Sequence, residues 1–373
     1  MKYIWQCELW PKLTWDSDVL LSFLGQARLA QGYLLARVKR LGSKLGEEAQ
    51  ADLLTEEAVK TAAIEGERLN PQMVRSSVAR HLGLRAAGSI PATISVDGLV
   101  EVILDATRKY DKALSVNKLK GWHAALFPSG YSGLRKIKVG QWRGKEPMHI
   151  VSGPVGREKI HFEAPPGEAV KTEMKAFLHW WKYSLRTTDG ILRAGLAHFY
   201  FVTIHPFEDG NGRIARALTD MALAQDEKLT TRYYSLSSQI MEERDKYYDI
   251  LEKSSKTDST DLTKWLVWFL ECFQRAIRRS NNIIGNVLAK ADFWQEHAQT
   301  GFNEHQKKVI NRMLDAGKGN FTGGLTTRKY VGITRTSRAT AFREIADMLD
   351  KKVLRQLSGK GRSVHYDLVW PNK

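Results

Sequence analysis

The sequence predicts a mainly α-helical fold with a small β-hairpin and, at the C-terminus, a winged helix-turn-helix. Three observations indicate this fold class. Apolar residues recur at helical spacing along most of the 373 residues. One stretch, 127–166, instead combines frequent Gly and Pro with short runs of β-forming residues. The final part, 301–373, has the order helix, helix, turn, helix, hairpin, which is typical of a winged helix.

The composition is that of a globular protein. Apolar residues make up 43% and charged residues 26%, which excludes a disordered or collagen-like chain, and the length indicates two or three domains. Cys7 and Cys272 are far apart in the sequence, which excludes a disulfide framework and a zinc finger and favours a reducing compartment. No signal peptide or membrane-spanning stretch is recognisable. We therefore expect a soluble, cytoplasmic protein with no membrane partner.

The charge is less ordinary. The formal net charge of +16 predicts an anionic partner, whether a nucleotide, a nucleic acid or a membrane surface. Residues 301–373 contribute much of it, with 15 Lys and Arg against six Asp and Glu.

The N-terminal part predicts two helices. The first is expected from about Asp18, after three tryptophans at five-residue spacing: Trp5, Trp10 and Trp15. These rings are either packing anchors or a partner-binding patch. The second helix is predicted over 48–69, ended by Asn70-Pro71. It contains Gly66, which would let another element approach closely.

The middle of the chain predicts further helices around one β-hairpin. Helices are expected over 71–84, 95–126 and most of 167–300. Between them, short strands are predicted at 136–139, 149–151 and 159–162.

The C-terminal part predicts helices over 303–316, 325–331 and 335–351, and a hairpin of 353–357 with 364–368. Arginines mark the start of the third helix and the strand after it, and the hairpin tip adds two further cations: Arg335, Arg338, Arg343, Arg355, Lys360 and Arg362. Hydroxyls and arginines at a helix start suit contacts to DNA phosphates and to the major groove. Docking of a protein is the alternative for this unit, and the sequence leaves both open.

One segment, 204–216, combines the groups that phosphoryl-type transfer needs. Gly210-Asn211-Gly212 at a helix start leaves backbone N–H groups exposed as an anion-binding nest. Arg213 and Arg216 lie on the same face of that helix and can reach the outer phosphates of a nucleotide.

Two residues before the nest complete the set. Asp209 offers a carboxylate that can hold Mg²⁺. His205 can take a proton from an attacking hydroxyl, and Phe207 is expected to point into the core. The reaction depends mainly on positioning and charge neutralisation, which these residues supply.

The segment resembles the signature of Fic-domain proteins, His-x-Phe-x-Asp/Glu-Gly-Asn-Gly-Arg-x-x-Arg, at every defining position. The resemblance implies a helical fold that transfers AMP from ATP to a hydroxyl of a target protein. It implies His205 as general base, Asp209 as Mg²⁺ ligand, and the nest glycines with Asn211 as holders of the α- and β-phosphates. Arg213 and Arg216 would neutralise the β- and γ-phosphates.

Three further segments resemble parts of the same family. Thr61-x-x-Ile64-Glu65-Gly66 is similar to an inhibitory helix whose glutamate pairs with the second motif arginine, here Arg216. The stretch from Gly140-Gln141-Trp142-Arg143 to the hairpin resembles the flap that aligns a target segment, which implies docking at Ile160, His161 and Phe162. Tyr247 and Tyr248 resemble an adenine pocket, with core packing as the alternative.

These expectations divide the chain into four parts: an N-terminal helical region at 1–90 with the inhibitory helix at about 55–69, a Fic core at 91–258, a helical connector at 259–300, and the winged helix at 301–373. The expected partners are ATP and a target protein. DNA at 301–373 and a second copy of the chain are further candidates. Other donors (UMP, phosphocholine or phosphate) and a nucleotide-sensing DNA-binding regulator are the alternative functions.

Overall fold

The computed structural model of the protein describes residues 2–40, 43–84, 90–152, 159–357 and 364–370, with the backbone alone for 43–45, 151–152 and 159–160. The chain divides into two compact units, Met1–Ser280 and Asn281–Lys373. The predicted boundary at 301 falls inside the second unit. The fold is mainly helical, as predicted, and none of the helices described here combines the length and the apolar character needed to span a bilayer.

The N-terminal part of the first unit is a short 3₁₀ turn followed by three helices: Ile4–Gln6, α1 (Ser17–Val38), α2 (Ser43–Ile64) and α3 (Pro71–Leu82). Asp16 caps α1 through its carboxylate, and Asn70 caps α3 with Pro71 at the first helical position. Both are favoured helix-start residues. Asn70-Pro71 therefore begins α3, close to the helix predicted over 71–84.

The second helix ends five residues earlier than predicted, at Ile64 rather than at residue 69. Gly66 adopts a left-handed conformation with φ of 84°, and its N–H bonds to the carbonyl of Ala63 while that of Glu67 bonds to Ala62. This pair of bonds is a Schellman motif, which stops a helix. Among the described residues, no atom beyond the two chain neighbours lies within 4 Å of a Cβ built at Gly66, so the predicted close approach there is wrong, and the glycine serves the turn.

The tryptophans of the N-terminal segment anchor it to the rest of the first unit. Trp5 Nε1 donates to the carbonyl of Glu163 at 2.7 Å, and Trp10 Nε1 donates to Glu173 Oε2 at 2.9 Å. Burial raises the pKa of the Glu173 carboxyl. These two rings are packing anchors, the first of the two predicted roles.

Eight further α-helices follow along the described chain: α4 (Ile94–Arg108), α5 (Val116–Leu126), α6 (Val170–Thr187), α7 (Gly190–Ile204), α8 (Asn211–Glu227), α9 (Leu236–Glu242), α10 (Arg244–Ser255) and α11 (Thr263–Glu296). The division between the two units falls within α11. Nearly every residue of α7 is buried, because a helix that is apolar on all sides belongs in the core.

Two short antiparallel strand pairs lie between α5 and α6. Strands β1 (Tyr131–Ser132) and β2 (Arg135–Lys136) form one pair, and β3 (His149–Ser152) and β4 (Lys159–Glu163) form the other. In the second pair Ile150 faces Phe162, and the register shifts after Ile150. The hairpin is thus close to the predicted position, whereas the run at 136–139 forms a strand only at its start.

The far ends of α7 and α8 are joined through α1. Asp189 caps the start of α7, and Asp226 lies in the last turn of α8. Arg28 donates to both carboxylates, with Nη2 at 2.6 Å from Asp189 Oδ2 and Nη1 at 2.5 Å from Asp226 Oδ2.

Besides the end of α11, the described part of the second unit contains three helices and a hairpin in the predicted order: α12 (Glu304–Ala316), α13 (Thr327–Thr334), α14 (Arg338–Asp350), β5 (Leu354–Gln356) and β6 (Tyr366–Leu368). Its core includes Phe293, Ile310, Tyr330 and Ile345. The winged-helix assignment remains a prediction, and Lys360 and Arg362 lie outside the described residues.

Candidate active site

The residues predicted to carry chemistry lie at the turn that joins α7 to α8. His205 follows the last residue of α7 in a left-handed conformation, with φ of 50°, which is uncommon for a residue other than glycine. Gly210 is the N-cap of α8 with φ of 77°. A Cβ at Gly210 would be strained there and would come within 2.8 Å of the Phe127 ring. The turn thus joins the base candidate to the first amides of α8.

The side chain of Asn211 stabilises this turn through hydrogen bonds to its backbone. Its Oδ1 accepts from the N–H of Phe207 at 3.0 Å, and its Nδ2 donates to the carbonyl of Phe207 at 2.8 Å. Both polar groups of the side chain are therefore used by the protein. Only the backbone N–H of Asn211, in the first turn of α8, is left to bind phosphate. That contact remains a prediction.

Phe207 is fully buried, as predicted, and its ring stacks on the ring of His123 with 4.2 Å between centroids. His123 Nδ1 accepts from the N–H of Gly140 at 3.0 Å. Burial lowers the pKa of His123 to about 4, so the imidazole is neutral at pH 7. This histidine packs against the turn between α7 and α8 through the ring of Phe207. Sequence reasoning missed it, because a single histidine inside a helical pattern carries no signal.

The ring of His205 is held by one contact to the backbone. Its Nδ1 lies 3.1 Å from the carbonyl of Val202. A carbonyl can only accept, so Nδ1 carries the hydrogen and Nε2 keeps its lone pair. Burial lowers the pKa of His205, and the charge of Arg143 adds to the effect. Both effects favour the neutral ring, the form in which a histidine acts as a base.

Arg143 holds the backbone on both sides of His205. Its Nε donates to the carbonyl of His205 at 2.8 Å, and its own N–H donates to the carbonyl of Pro206 at 2.9 Å. Its Nη2 donates to the carbonyls of Pro165 and Ile204. The side chain is 5% exposed. The sequence placed Arg143 at the entry of the flap but gave no sign of this role.

Asp209 is fixed next to the anion nest. Its Oδ1 accepts from the N–H of Gly210 at 2.5 Å, and its Oδ2 accepts from the hydroxyl of Ser132. Within the described ranges, no three His, Cys, Asp or Glu side chains come together as a metal site. One carboxylate with lone pairs remaining fits Mg²⁺ that takes its other ligands from phosphates and water.

Arg213 is mostly buried with part of its hydrogen-bonding capacity unused. Nη1 donates to Glu67 Oε2 at 3.2 Å, and the guanidinium lies 4.8 Å from the centre of the Phe127 ring. Among the described residues, Nε has no hydrogen-bond partner. A buried cationic donor without a partner favours binding of an anion.

Arg216 and Glu65 form the ion pair that the sequence predicted. Nη2 of Arg216 lies 2.7 Å from Glu65 Oε1 and donates to the carbonyl of Thr61 at 3.0 Å, while Nε donates to Thr61 Oγ1 at 2.6 Å. Arg216 is 3% exposed. Burial alone would lower the pKa of this guanidinium, but the Glu65 carboxylate outweighs it and the pKa is raised.

The Glu65 carboxylate also lies directly against the start of α8. A Cβ built at Gly212 would come 2.1 Å from Glu65 Oε1 and 3.2 Å from Arg216 Nη1. The carboxylate therefore occupies space beside the nest, where a bound phosphate would repel it.

The end of α2 is held by α10 as well. Arg244 Nε donates to the carbonyl of Ile64 at 3.1 Å, and the Tyr248 hydroxyl donates to the same oxygen at 3.2 Å. With the bonds from Arg216 and the Schellman turn, the last four carbonyls of α2 all have partners. Sequence reasoning missed Arg244.

The two tyrosines predicted for an adenine pocket are placed differently. Tyr247 is 2% exposed, and its hydroxyl lies 2.9 Å from His198 Nε2, so the alternative of core packing describes it. Tyr248 is half-buried and contacts α2. Its role with adenine remains a prediction.

The described flap side chains point toward the protein. Phe162 is 4% exposed and meets the ring of Tyr3 edge-on at 5.3 Å. His161 Nδ1 lies 2.5 Å from Glu252 Oε2. The side chain of Ile160 lies outside the described residues. Docking by these residues remains a prediction, and for Phe162 it would have to use the backbone.

Comparison with known families identifies two segments. Residues 113–223 match the model of the Fic/DOC family, and residues 3–84 match a domain of unknown function, DUF4172. The first match contains the whole turn from His205 to Arg216. The second contains Glu65.

Curated relatives are similar over part of their length. A probable protein adenylyltransferase of Aquifex aeolicus is 27% identical over 125 residues, which cover 31% of this chain and 39% of that protein. The protein adenylyltransferase Fic of Aedes aegypti is 27% identical over 194 residues, covering 49% of this chain and 34% of that protein. The chain thus spans about two fifths or less of these relatives.

Solved structures share the fold. A Fic family protein from Desulfovibrio desulfuricans superposes with a TM-score of 0.54 at 18% identity, covering 96% of this chain and 98% of that one. A Fic domain containing signaling protein from Bacteroides thetaiotaomicron gives a TM-score of 0.54 at 16% identity, covering 72% and 97%.

Proposed function

Because residues 113–223 match the Fic/DOC family, we propose that the protein is a protein adenylyltransferase that moves AMP from ATP to a Ser, Thr or Tyr hydroxyl of a target protein. The observation that carries the proposal is the single turn between α7 and α8. It places a neutral histidine with an available Nε2 beside a helix start that bears one buried arginine, Arg216, and one partly buried arginine, Arg213.

The chemistry assigns a role to each group. His205 Nε2 accepts the proton of the target hydroxyl as its oxygen attacks the α-phosphorus. The amides of Gly210, Asn211 and Gly212 bind phosphate oxygens at the positive end of α8. Arg213 and Arg216 stabilise the charge that collects on the leaving pyrophosphate. Asp209 would hold Mg²⁺, which neutralises phosphate charge when bound.

Glu65 keeps this site inactive. Its carboxylate takes up the guanidinium of Arg216 and the space beside Gly212, so the outer phosphates lose both a partner and room. Release of Glu65 frees Arg216 for the nucleotide. DUF4172 therefore supplies the inhibitor of the neighbouring Fic domain.

Incubation with ATP labelled at the α-phosphate, in the presence of Mg²⁺, tests the proposal. Glu65→Gly should raise labelling of the protein itself or of lysate proteins, and adding His205→Ala should reduce it roughly 10²–10⁴-fold. Glu48→Ala, which removes an exposed glutamate of the same helix, is the matched control. If Glu65→Gly labels nothing, adenylylation is wrong. Intact mass of the product separates AMP from a UMP, phosphocholine or phosphate adduct.

A charge pattern in the second unit favours DNA binding as a second function. On α14, Glu344 and Asp347 bond within the unit, to Tyr330 and Gln306 among others. Arg338, Phe342 and Arg343 are exposed, and Arg338 lies one turn before Phe342, away from the two acids. Because both acids are already bonded within the unit, the exposed arginines keep charge for phosphates.

A gel shift of duplex DNA by the full chain tests this role. We expect binding at low salt that weakens as salt is raised, and that is reduced by Arg338→Ala with Arg343→Ala but not by Lys307→Ala on α12. No shift at low salt would leave protein docking as the function of this unit.

A further inference from the structure

The β1–β2 hairpin is bonded to two neighbouring acids of the turn between α7 and α8. Ser132, the last residue of β1, donates its hydroxyl hydrogen to Asp209 Oδ2. The N–H of Lys138, two residues after β2, donates to Glu208 Oε2 at 3.2 Å, and Arg135 Nη2 on β2 lies 3.8 Å from the same oxygen. Both acids that precede the anion nest therefore have partners on this hairpin or just after it.

The open end of the hairpin is anchored beside the start of α8. The N–H of Ile137 donates to the carbonyl of Gly130 at 3.0 Å, and the N–H of Gly130 donates to the carbonyl of Phe127 at 3.0 Å. The Phe127 ring lies so close to Gly210 that a Cβ built there would be 2.8 Å from it. Ser132 is thus carried by a short, hydrogen-bonded segment whose base contacts the N-cap of α8.

The hydroxyl of Ser132 restricts the rotation of the Asp209 carboxylate. The bond to Oδ1 comes from the N–H of Gly210, the next residue in the chain. The bond to Oδ2 comes from a separate element, 77 positions earlier in the sequence. Because each oxygen accepts from a different segment, the carboxylate cannot turn about its Cβ–Cγ bond without losing both bonds.

These two bonds leave Asp209 able to bind a metal ion. A carboxylate oxygen has two lone pairs, so each oxygen keeps one after it has accepted a single hydrogen bond. Mg²⁺ demands near-ideal octahedral geometry, and the direction of the carboxylate that binds it therefore matters. Groups that hydrogen-bond to a metal ligand set that direction before the ion arrives, and they contribute to metal affinity in this way.

We propose that Ser132 is a positioning residue that orients Asp209 for the Mg²⁺ that binds together with ATP. The inference rests on the proposed function, in which Asp209 is the Mg²⁺ ligand. Ser132 acts through Asp209 and is assigned no contact with the reacting atoms. It lies outside the signature at 204–216, so the pattern that identifies the turn does not include it.

ATP binding measured by calorimetry, once with Mg²⁺ and once with EDTA, tests this role. The parent protein carries Glu65→Gly, which frees the site, and His205→Ala, which prevents turnover. Ser132→Ala should weaken ATP binding in Mg²⁺ roughly tenfold, the lower end of the usual effect of losing a group that orients a metal ligand. In EDTA its ATP affinity should equal that of the parent. Ser132→Thr keeps the hydroxyl and should restore binding in Mg²⁺.

Two controls separate positioning of Asp209 from loosening of the hairpin. Ser129→Ala removes a nearby hydroxyl that accepts from the N–H of Tyr131 at 3.3 Å, and it should change neither affinity. In an Asp209→Ala background, Ser132→Ala should cause no further loss, because the serine acts through that carboxylate. Ser132→Cys, whose S–H is a weak donor, should give a smaller loss and serves if Ser132→Ala does not fold.

The failures are distinguishable. If the parent protein does not bind ATP under either condition, the proposed function is wrong and the role of Ser132 falls with it. If the parent binds ATP but Ser132→Ala binds it as tightly in Mg²⁺, or loses affinity equally in Mg²⁺ and in EDTA, the role of Ser132 alone is wrong.

Discussion

Thr61 and Arg216 are joined by two hydrogen bonds, one to the hydroxyl and one to the carbonyl of the threonine, at 2.6 Å and 3.0 Å. Arg216 is therefore held by a charged residue, Glu65, and by a neutral residue, Thr61. Any change that weakens either should favour the released state of α2.

Thr61→Val should activate the enzyme without touching Glu65. The substitution keeps the shape of the side chain and removes the acceptor for Arg216 Nε, which costs the inactive state about 1.5–3 kcal/mol. We expect AMP transfer, measured with labelled ATP, to rise roughly tenfold or more. Thr61→Ser retains the hydroxyl and should behave as the wild type. Equal activity of the Val and Ser variants would contradict the prediction.

Gly66→Ala should also activate, by straining the turn that presents Glu65. A side chain at φ of 84° costs roughly 1–2 kcal/mol. Gly83 is a matched control, because it ends α3 with φ of 72° and also has open space around it. Thermal melts should show a similar loss for both alanine variants, while transfer should rise only for Gly66→Ala. A rise in both would mean that general loosening, not this turn, controls activity.

Arg143→Ala should impair transfer while leaving ATP binding intact. The change leaves the carbonyls of His205 and Pro165 without their donor, so the base is no longer held in position, which costs on the order of 10² in rate. Labelling and calorimetry in the Glu65→Gly background separate the two effects. Lys145→Ala, at an exposed position nearby, should change neither. A parallel loss of ATP affinity would indicate collapse of the whole site.

Asp220 should make the stability of the protein depend on pH. Burial raises the pKa of the Asp220 carboxyl to about 8. The negative charges of Glu57 and Glu227 also raise this pKa, and the positive charges of Arg232 and Arg216 oppose the rise. An unfolded aspartate titrates near pH ~3.9. The folded protein thus binds an extra proton between pH ~4 and ~8, and its free energy of unfolding falls as pH rises through that window.

Thermal melts across this range check the sign. The slope from one such group is at most about 1.4 kcal/mol per pH unit. Asp220→Asn should flatten the profile, whereas Asp249→Asn, at an exposed site, should preserve it. A profile that Asp220→Asn leaves unchanged would show that other groups set the dependence.

The parts of the site that lie close together in the chain could be predicted from the sequence. The positions from His205 to Arg216 form one turn and one helix start, so their spacing alone indicates their arrangement. Glu65 is far from Arg216 in sequence, and it was identified through resemblance to a family rather than from spacing.

The residues that support the turn could not be predicted in the same way. Arg143 acts through backbone carbonyls of a segment about 60 positions away, and a backbone carbonyl leaves no trace in the sequence. His123 acts through ring stacking on Phe207, more than 80 positions away. The amide of Asn211 satisfies the backbone of Phe207, a use that the phosphate-binding pattern hides. Gly66 fitted a helix pattern by its neighbours, and only its left-handed conformation shows that the helix has ended.

The fork of Arg28 across Asp189 and Asp226 limits how the chain can be shortened. These carboxylates lie at the ends of α7 and α8 that are far from the turn at His205–Gly210. Asp226 lies so close to the start of α7 that a Cβ built at Gly190 would be 2.2 Å from its Oδ1. A fragment that begins after α1 would leave two negative charges facing each other without their shared cation. We therefore expect a fragment that reaches back to α1 to be more stable than one cut at the boundaries of the Fic match, residues 113–223.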